Sequence, residues 1–427
     1  GGLMSSPAAK RRPVELALSG PSGGVVGAAT IASKKGVPDV LTLDMGGTST
    51  DVSLVEDGTP GTTRQTKVGY REFKSRSVDV NTVGAGGGSI ARVQLSGALQ
   101  VGPESAGADP GPACYGQGGE EPTVTDANVV LGRIPPMVQL GGKMDLDHEA
   151  AREAISGIAE QRDSSIEAAA QAILDIVNEN MYGALRVVSV ERGYDPRDFG
   201  LVAFGGAGPM HAVSIADGLD VDRVVVPHAS GVLSAYGLLA ADETRDAVRT
   251  RQGPLAEVDA DAVDALYGEL GDDLLGEVSD PDAARVEYAA DLRYAGQSFE
   301  LTVDVDRPFD PEAAAERFAA AHESAYGYRA DEPVELVNCR ATATVPRSAP
   351  AIESAGTGAT DPRTTREAVF PDGPRETPVY DRERFPADGR VEGPVVVEGA
   401  ESTAVVPPGW SVRLRGDGAL VAEVSDA

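Results

Sequence analysis

The chain has 427 residues, 41% of them hydrophobic, enough for about two to three domains with sizeable cores, and no apolar run of 18 residues suggests a membrane span. Its 67 acidic against 37 basic residues give a formal charge of −30, with only six lysines and none after Lys143; such a surface repels nucleic acid and anionic membranes. It fits a halophilic protein whose self-repulsion is screened by salt, and two distant cysteines, Cys114 and Cys339, point to a reducing cytoplasm.

The first ~240 residues alternate apolar strands, glycine-rich turns and helical patterns, the signature of an α/β domain. Gly23 to Ser33 reads as a helix with small residues (Gly27, Ala28, Ala29, Ala32) that permit close packing. Val40-Leu-Thr-Leu43 and Val52-Ser-Leu-Val55 then frame Asp44-Met-Gly-Gly-Thr-Ser-Thr-Asp51, a strand, turn and strand. Gly46 and Gly47 let backbone N–H groups approach an anion, the hydroxyls of Thr48, Ser49 and Thr50 suit phosphate oxygens, and Asp44 and Asp51 suit Mg²⁺ or a water. No lysine follows the glycines, so this is a phosphate clamp distinct from the lysine-bearing P-loop.

Further along, Gly84-Ala-Gly-Gly-Gly88, with Gly86 and Gly87 at its centre, reads as a second cradle for phosphate or substrate. Asp109 and Asp126 stand in rigid loops as cleft candidates, Asp126 with helix capping as the competing role. Cys114 has no neighbour to lower its pKa and reads as a structural thiol. Residues 148–193 form two helices broken near residues 161–164, where Asp163 or Ser164 can cap the second; Ile173, Ile176, Val177, Met181 and Leu185 are its core stripe. Leu201 to Phe204 leads into Gly205-Gly206-Ala207-Gly208-Pro209, a strand, glycine turn and helix start. A dinucleotide fingerprint is the competing reading there, but His211 stands where its third glycine belongs. His211 and His228 are cleft-lining candidates; a histidine metal site would need a third ligand. After Thr244 an α+β region with strands at 285–294 and 299–305 and a helix at 311–325 precedes a linker-like stretch and a small β-rich module.

The Asp44–Asp51 string resembles the phosphate hairpin of the actin, sugar-kinase and Hsp70 superfamily, and in detail the hydantoinase A / 5-oxoprolinase family. Leu18-Ser-Gly-Pro-Ser-Gly-Gly-Val-Val-Gly27, Val83-Gly-Ala-Gly-Gly-Gly-Ser-Ile90, residues 105–116, Thr123-Val-Thr-Asp-Ala-Asn128 and Phe204-Gly-Gly-Ala-Gly-Pro-Met-His211 carry that resemblance to about residue 240. Tyr294-Ala-Gly-Gln-Ser-Phe299 and Val395-Val-Val-Glu-Gly399 extend it more weakly.

The resemblance implies an actin-like ATPase (ribonuclease H-like) domain over residues 1–243, an α+β part over 244–345, a linker or long loop over 346–376 and a β-rich module over 377–427. It makes Gly205, Gly206 and Gly208 an adenosine motif, with ATP and Mg²⁺ as cofactors. The implied reaction is ATP-dependent hydrolysis of a cyclic amide, hydantoin or 5-oxoproline in type, through phosphorylation of the amide oxygen. An acetone-carboxylase-like ATP-handling subunit and an incomplete nucleotide-binding fragment are the alternatives. Family members carry a further N-terminal domain with its own hairpin before the region that resembles this chain. A missing N-terminal half and a hydantoinase B-like subunit are therefore the expected partners, in a hetero-oligomer.

Overall fold

Strand β1 (Val40–Met45) and strand β2 (Thr50–Glu56) are buried along nearly their whole length, because their apolar residues meet helices on both faces of one sheet. In this computed structural model the described residues are 3, 9, 10, 13–16, 18–34, 36–68, 71–134, 145–351, 361–386 and 389–425. Two compact units divide the chain, one of residues 17–240 and 349–427, the other of residues 1–16 and 241–348.

In the larger unit, helix α1 (Ser19–Ser33) precedes β1 and β2. Then come β3 (Thr59–Pro60), the ribbon of β4 (Thr62–Val68) and β5 (Arg71–Val78), β6 (Asn81–Val83), and the hairpin of β7 (Ser89–Val93) and β8 (Leu99–Ser105). Helices α2 (Val124–Val130), α3 (His148–Gln161) and α4 (Ile166–Val188) lead to β9 (Gly200–Phe204), α5 (Gly208–Gly218), β10 (Arg223–Val226) and α6 (Leu233–Ala240). The cap of α4 is Ser165, whose side chain accepts Ala168 N–H. Asp163, expected as a cap, instead takes a left-handed φ of 50° in the turn leaving α3.

The smaller unit is an antiparallel sheet in the order β11-β14-β12-β13, built of β11 (Glu243–Pro254), β12 (Arg285–Tyr294), β13 (Leu301–Val305) and β14 (Val334–Val345). Helices α7 (Ala260–Leu275) and α8 (Pro311–Tyr326) pack on it around Tyr267, Leu292 and Phe318.

The last stretch returns to the larger unit. It adds β15 (Thr364–Phe370), β16 (Gly373–Asp381), β17 (Arg390–Glu392), β18 (Val395–Glu398), β19 (Thr403–Val406), β20 (Trp410–Leu414) and β21 (Leu420–Val424). Residues 377–427 are not the separate module expected from the sequence: β21 pairs with β10, Val421 opposite Val225. The sheet thus runs β17-β20-β21-β10-β9-β1-β2-β3, with β6 on β2. The pairing covers backbone groups that β10 would otherwise leave as an open edge. Nor is 346–376 wholly a linker, since β15 lies within it; residues 352–360 of that range lie outside the described residues. The chain is therefore mixed α/β, and among the described residues no helix is long and apolar enough to cross a membrane.

One helix crossing depends on glycine. A Cβ on Gly237 of α6 would stand 1.7 Å from the carbonyl oxygen of Gly23 in α1, and one on Gly27 would stand 2.9 Å from Leu233 O. Alanine is the better helix former by about 1 kcal/mol, yet backbone cannot yield as a flexible side chain would. Gly237→Ala is expected to destabilise the protein by more than about 2 kcal/mol in denaturant titrations. Wild-type stability in that variant would mean that the two helices do not touch so closely.

Candidate functional site

Strands β1 and β9 are parallel neighbours, with Asp44 opposite Phe204, so the turns that follow them emerge side by side at the carboxyl edge of the sheet. Ala207 N–H donates to Met45 O at 3.0 Å. Gly205 has φ +79°, and a Cβ there would lie 2.3 Å from Met45 O and 2.6 Å from Asp44 Oδ1. Only glycine fits between that turn and the carboxylate. Gly206 is exposed beside it and Gly208 is buried at the start of α5.

Across the β1–β2 hairpin, Asp44 stands directly opposite Asp51 and Met45 opposite Thr50, and Gly46 N–H closes the turn on Ser49 O at 3.0 Å. Opposed residues project on one face of the hairpin, so two like charges are brought together. Thr82 Oγ1 donates to Asp51 Oδ1 at 2.5 Å. Asp44 accepts no hydrogen bond from a side chain or backbone group among the described residues. Burial, and secondly the neighbouring Asp51, raise Asp44 to about 6. Burial raises Asp51 as well, against the lowering effect of Thr82. Such a pair is relieved by a cation. Among the described residues no group of three or more His, Cys, Asp and Glu could hold a metal, but Mg²⁺ commonly takes one or two carboxylates and completes its shell with water and phosphate.

At the tip, Gly47 and Thr48 are exposed and Ser49 is half-buried. Thr50 corrects the expectation that all three hydroxyls face phosphate: it is fully buried, and its Oγ1 donates to Ala85 O at 2.5 Å. The glycine loop differs too. Gly87 N–H donates to Gly46 O at 3.0 Å, Gly88 N–H to Gly47 O at 2.6 Å and Gly86 N–H to Ser89 Oγ at 2.8 Å. With these amides committed, Gly86 and Gly87 back the hairpin and leave no free donors for a phosphate. A Cβ on Gly86 would lie 2.7 Å from Gly47 C and Thr48 N, so the contact itself requires glycine.

Behind that loop stands a residue the sequence did not single out. Thr125 N–H and Oγ1 both donate to Gly87 O at 2.8 Å, tying the start of α2 through the glycine loop to the hairpin. Its only sequence signal was membership of the Thr123–Asn128 string. Asp126 beside it is a structural cap: fully buried, it accepts from Cys114 N (2.8 Å), Thr123 N (2.9 Å), Thr123 Oγ1 (2.7 Å) and Ala113 N (3.3 Å). Burial and the Asp126 carboxylate push the Cys114 thiol well above its usual range, which keeps it inert.

His211 also stands elsewhere than expected. It is fully buried in α5, with Nδ1 donating to Asn178 Oδ1 at 2.8 Å and Nε2 facing Asn128 Nδ2 at 3.4 Å. Burial, and then Arg133, lower it to about 3, so a neutral imidazole links α2, α4 and α5 and does not line the crevice. Asp109 is exposed, and no hydrogen bond or ion pair from another described residue holds it. His228 follows β10 and is half-buried, two residues before Ser230, whose carbonyl accepts Gly205 N–H at 2.9 Å. The hairpin, the Gly205–Gly208 turn and the loop after β10 are thus brought together, whereas Asp126 and His211 are structural.

The family model described as Hydantoinase/oxoprolinase matches residues 1–247 of this chain, more than half of it. The chain belongs to the hydantoinase/oxoprolinase family. Caprolactamase subunit alpha of Pseudomonas jessenii is 36% identical over 433 residues, covering 97% of this chain and 62% of that protein. The crystal structure of the ATP-dependent caprolactamase from Pseudomonas jessenii aligns with a TM-score of 0.81 at 35% identity, over 96% of this chain and 61% of that one. Nucleotide-free acetone carboxylase aligns at 0.80 and 27% identity, over 95% and 61%. The chain therefore spans about 60% of the length of these relatives. Family membership and the mixed α/β fold stand together.

Proposed function

We propose that the chain is part of an ATP-dependent hydrolase of cyclic amides, with ATP held between the Asp44–Asp51 hairpin and the Gly205–Gly208 turn. The observation that carries this reading is the opposed Asp44–Asp51 pair at the sheet edge, wedged against Gly205 with no other partner for Asp44. Gly47, exposed at the tip, leaves the hairpin backbone open to phosphate, whereas the Gly46 N–H expected to do the same is committed to Ser49 O; Thr48 and Ser49 add hydroxyls, and Gly206 gives the nucleotide a flat approach. Asp44, with Asp51, would hold Mg²⁺, which when bound offsets the charge of the transferring phosphoryl group.

A cyclic amide is a poor electrophile. Transfer of the γ-phosphoryl group to its carbonyl oxygen releases ADP and leaves an electrophilic O-phosphorylated imidate. Water adds to that carbon, and the C–N bond breaks with the nitrogen taking a proton, so that the ring opens as an acyl phosphate. A second water displaces phosphate to leave an amino acid, N-carbamoylated where the substrate is a hydantoin. The residues named here orient the donor and stabilise developing charge. Relatives that are named as subunits support a hetero-oligomer, for which a hydantoinase B-like subunit and the family's N-terminal half are the proposed partners. The acidic surface suits a salt-rich cytoplasm.

The test is ADP release by the full-length protein, with and without its partner subunit, across hydantoins, 5-oxoproline, lactams and small ketones. Ring opening without bicarbonate is the expected result. Bicarbonate-dependent consumption of a ketone would replace this reading with a carboxylase subunit, to which the acetone carboxylase likeness gives weight. A protein that turns over nothing in any combination would leave a nucleotide-binding scaffold.

A further inference from the structure

Three buried polar side-chain atoms have no hydrogen-bond partner among the described residues: Asn128 Oδ1, Arg133 Nε and His228 Nδ1. The first two lie in the interior around His211, but His228 stands at the crevice. β10 runs parallel to β9 with Val225 opposite Val202, and His228 lies two residues beyond the end of β10 as Gly205 lies one residue beyond the end of β9. Gly205 N–H to Ser230 O, at 2.9 Å, fastens the two loops together. From the other side, Ser402 Oγ lies 2.7 Å from Ser230 Oγ, so the loop between β18 and β19 holds the His228–Ser230 turn in place.

β1, β9 and β10 are consecutive in the sheet, and neighbouring strands lie about 4.8 Å apart, so the loop after β10 stands roughly 10 Å from the hairpin. A nucleotide with its terminal phosphates on the hairpin, lying across Gly205 and Gly206, reaches that loop with its nucleoside end. Leaving a buried imidazole nitrogen unpaired costs about 1–3 kcal/mol. His228 as a whole is only half-buried, and a half-turn of its ring about χ2 exchanges Nδ1 with Cδ2 without backbone movement, which gives the nitrogen a second position.

Resting on the nucleotide reading above, we propose that His228 is a nucleoside-contacting residue whose Nδ1 hydrogen-bonds a ribose hydroxyl or ring nitrogen of the bound nucleotide. It contributes affinity for the nucleoside and none for the phosphates.

The test is equilibrium titration of the full-length protein with Mg·ATP and with magnesium tripolyphosphate, comparing wild type with His228→Ala, His228→Asn and His228→Gln. Alanine should weaken ATP binding about 10-fold and leave tripolyphosphate unchanged. Asparagine, whose amide stands where Nδ1 stands, should recover most of that loss; glutamine, whose amide reaches the Nε2 position, should not. Equal ATP affinity in wild type and His228→Ala overturns the assignment, and so does an equal loss for both ligands, which marks a structural role. A wild-type protein that binds neither ligand overturns the nucleotide reading and this assignment with it, and melting curves of each variant separate unfolding from lost contact.

Discussion

Asp44→Asn in the complete enzyme is expected to lower substrate-dependent ATP turnover by on the order of 10²-fold or more while making the ligand-free protein more stable at neutral pH. Both effects come from one cause. Burial and the facing Asp51 raise Asp44 from 3.8 to about 6, so its ionised form is less favourable in the folded protein than in the unfolded chain. The cost is absent below about pH 3.8, grows between about 4 and 6, and is complete above 6. Two pKa units amount to roughly 3 kcal/mol, and partial exposure of the side chain reduces this to about 2. Asparagine removes the charge and with it the penalty, but it also removes the carboxylate proposed for Mg²⁺. Thermal melts from pH 4 to 8 should therefore show the variant gaining on wild type as pH rises, and Mg·ATP should stabilise wild type alone. Unchanged turnover would reduce the motif to a structural hairpin; a stability difference that persists at pH 4 would mean that Asp44 does not carry the charge penalty.

What was legible in the sequence was local. The Asp44–Asp51 hairpin declares itself within eight residues, because both strands and the glycine turn are written consecutively, and the strand, turn and helix of 201–218 are likewise contiguous. What was misread depends on partners distant in the chain. The Thr50 hydroxyl is committed to Ala85, 35 residues away, and the Gly87 amide to Gly46; nothing in either string tells a free donor from a committed one. His211 looks like any histidine after a glycine turn until Asn178 and Asn128 close around it. Alternation marks 410–424 as strands but carries no information about which sheet they join, and so β20 and β21 were set apart from a sheet that they complete.

Gly205→Ala and Gly206→Ala, neighbours in one turn, should behave oppositely. At Gly205 the left-handed φ of +79° already disfavours a side chain by about 1 kcal/mol, and the new Cβ would meet Met45 O at 2.3 Å and Asp44 Oδ1 at 2.6 Å. The first of these is backbone at the end of β1, so relief requires β1 and β9 to part. That strains the bonds from Ala207 N–H to Met45 O and from Gly205 N–H to Ser230 O. A loss of roughly 3 kcal/mol or more is expected, together with ATP binding, because Asp44 is displaced as the strand moves. At Gly206 no atom lies within 4 Å of the added Cβ and φ is outside the left-handed region, so stability should change by less than about 1 kcal/mol. Gly206 is exposed at the crevice, however, where a methyl group would hold a nucleotide away from the backbone. Its substitution should thus weaken ATP binding with the fold intact. Chemical denaturation alongside nucleotide titration separates the two; a Gly205→Ala protein as stable as wild type would show that the turn is not wedged against β1, and the shared site would lose its geometric basis.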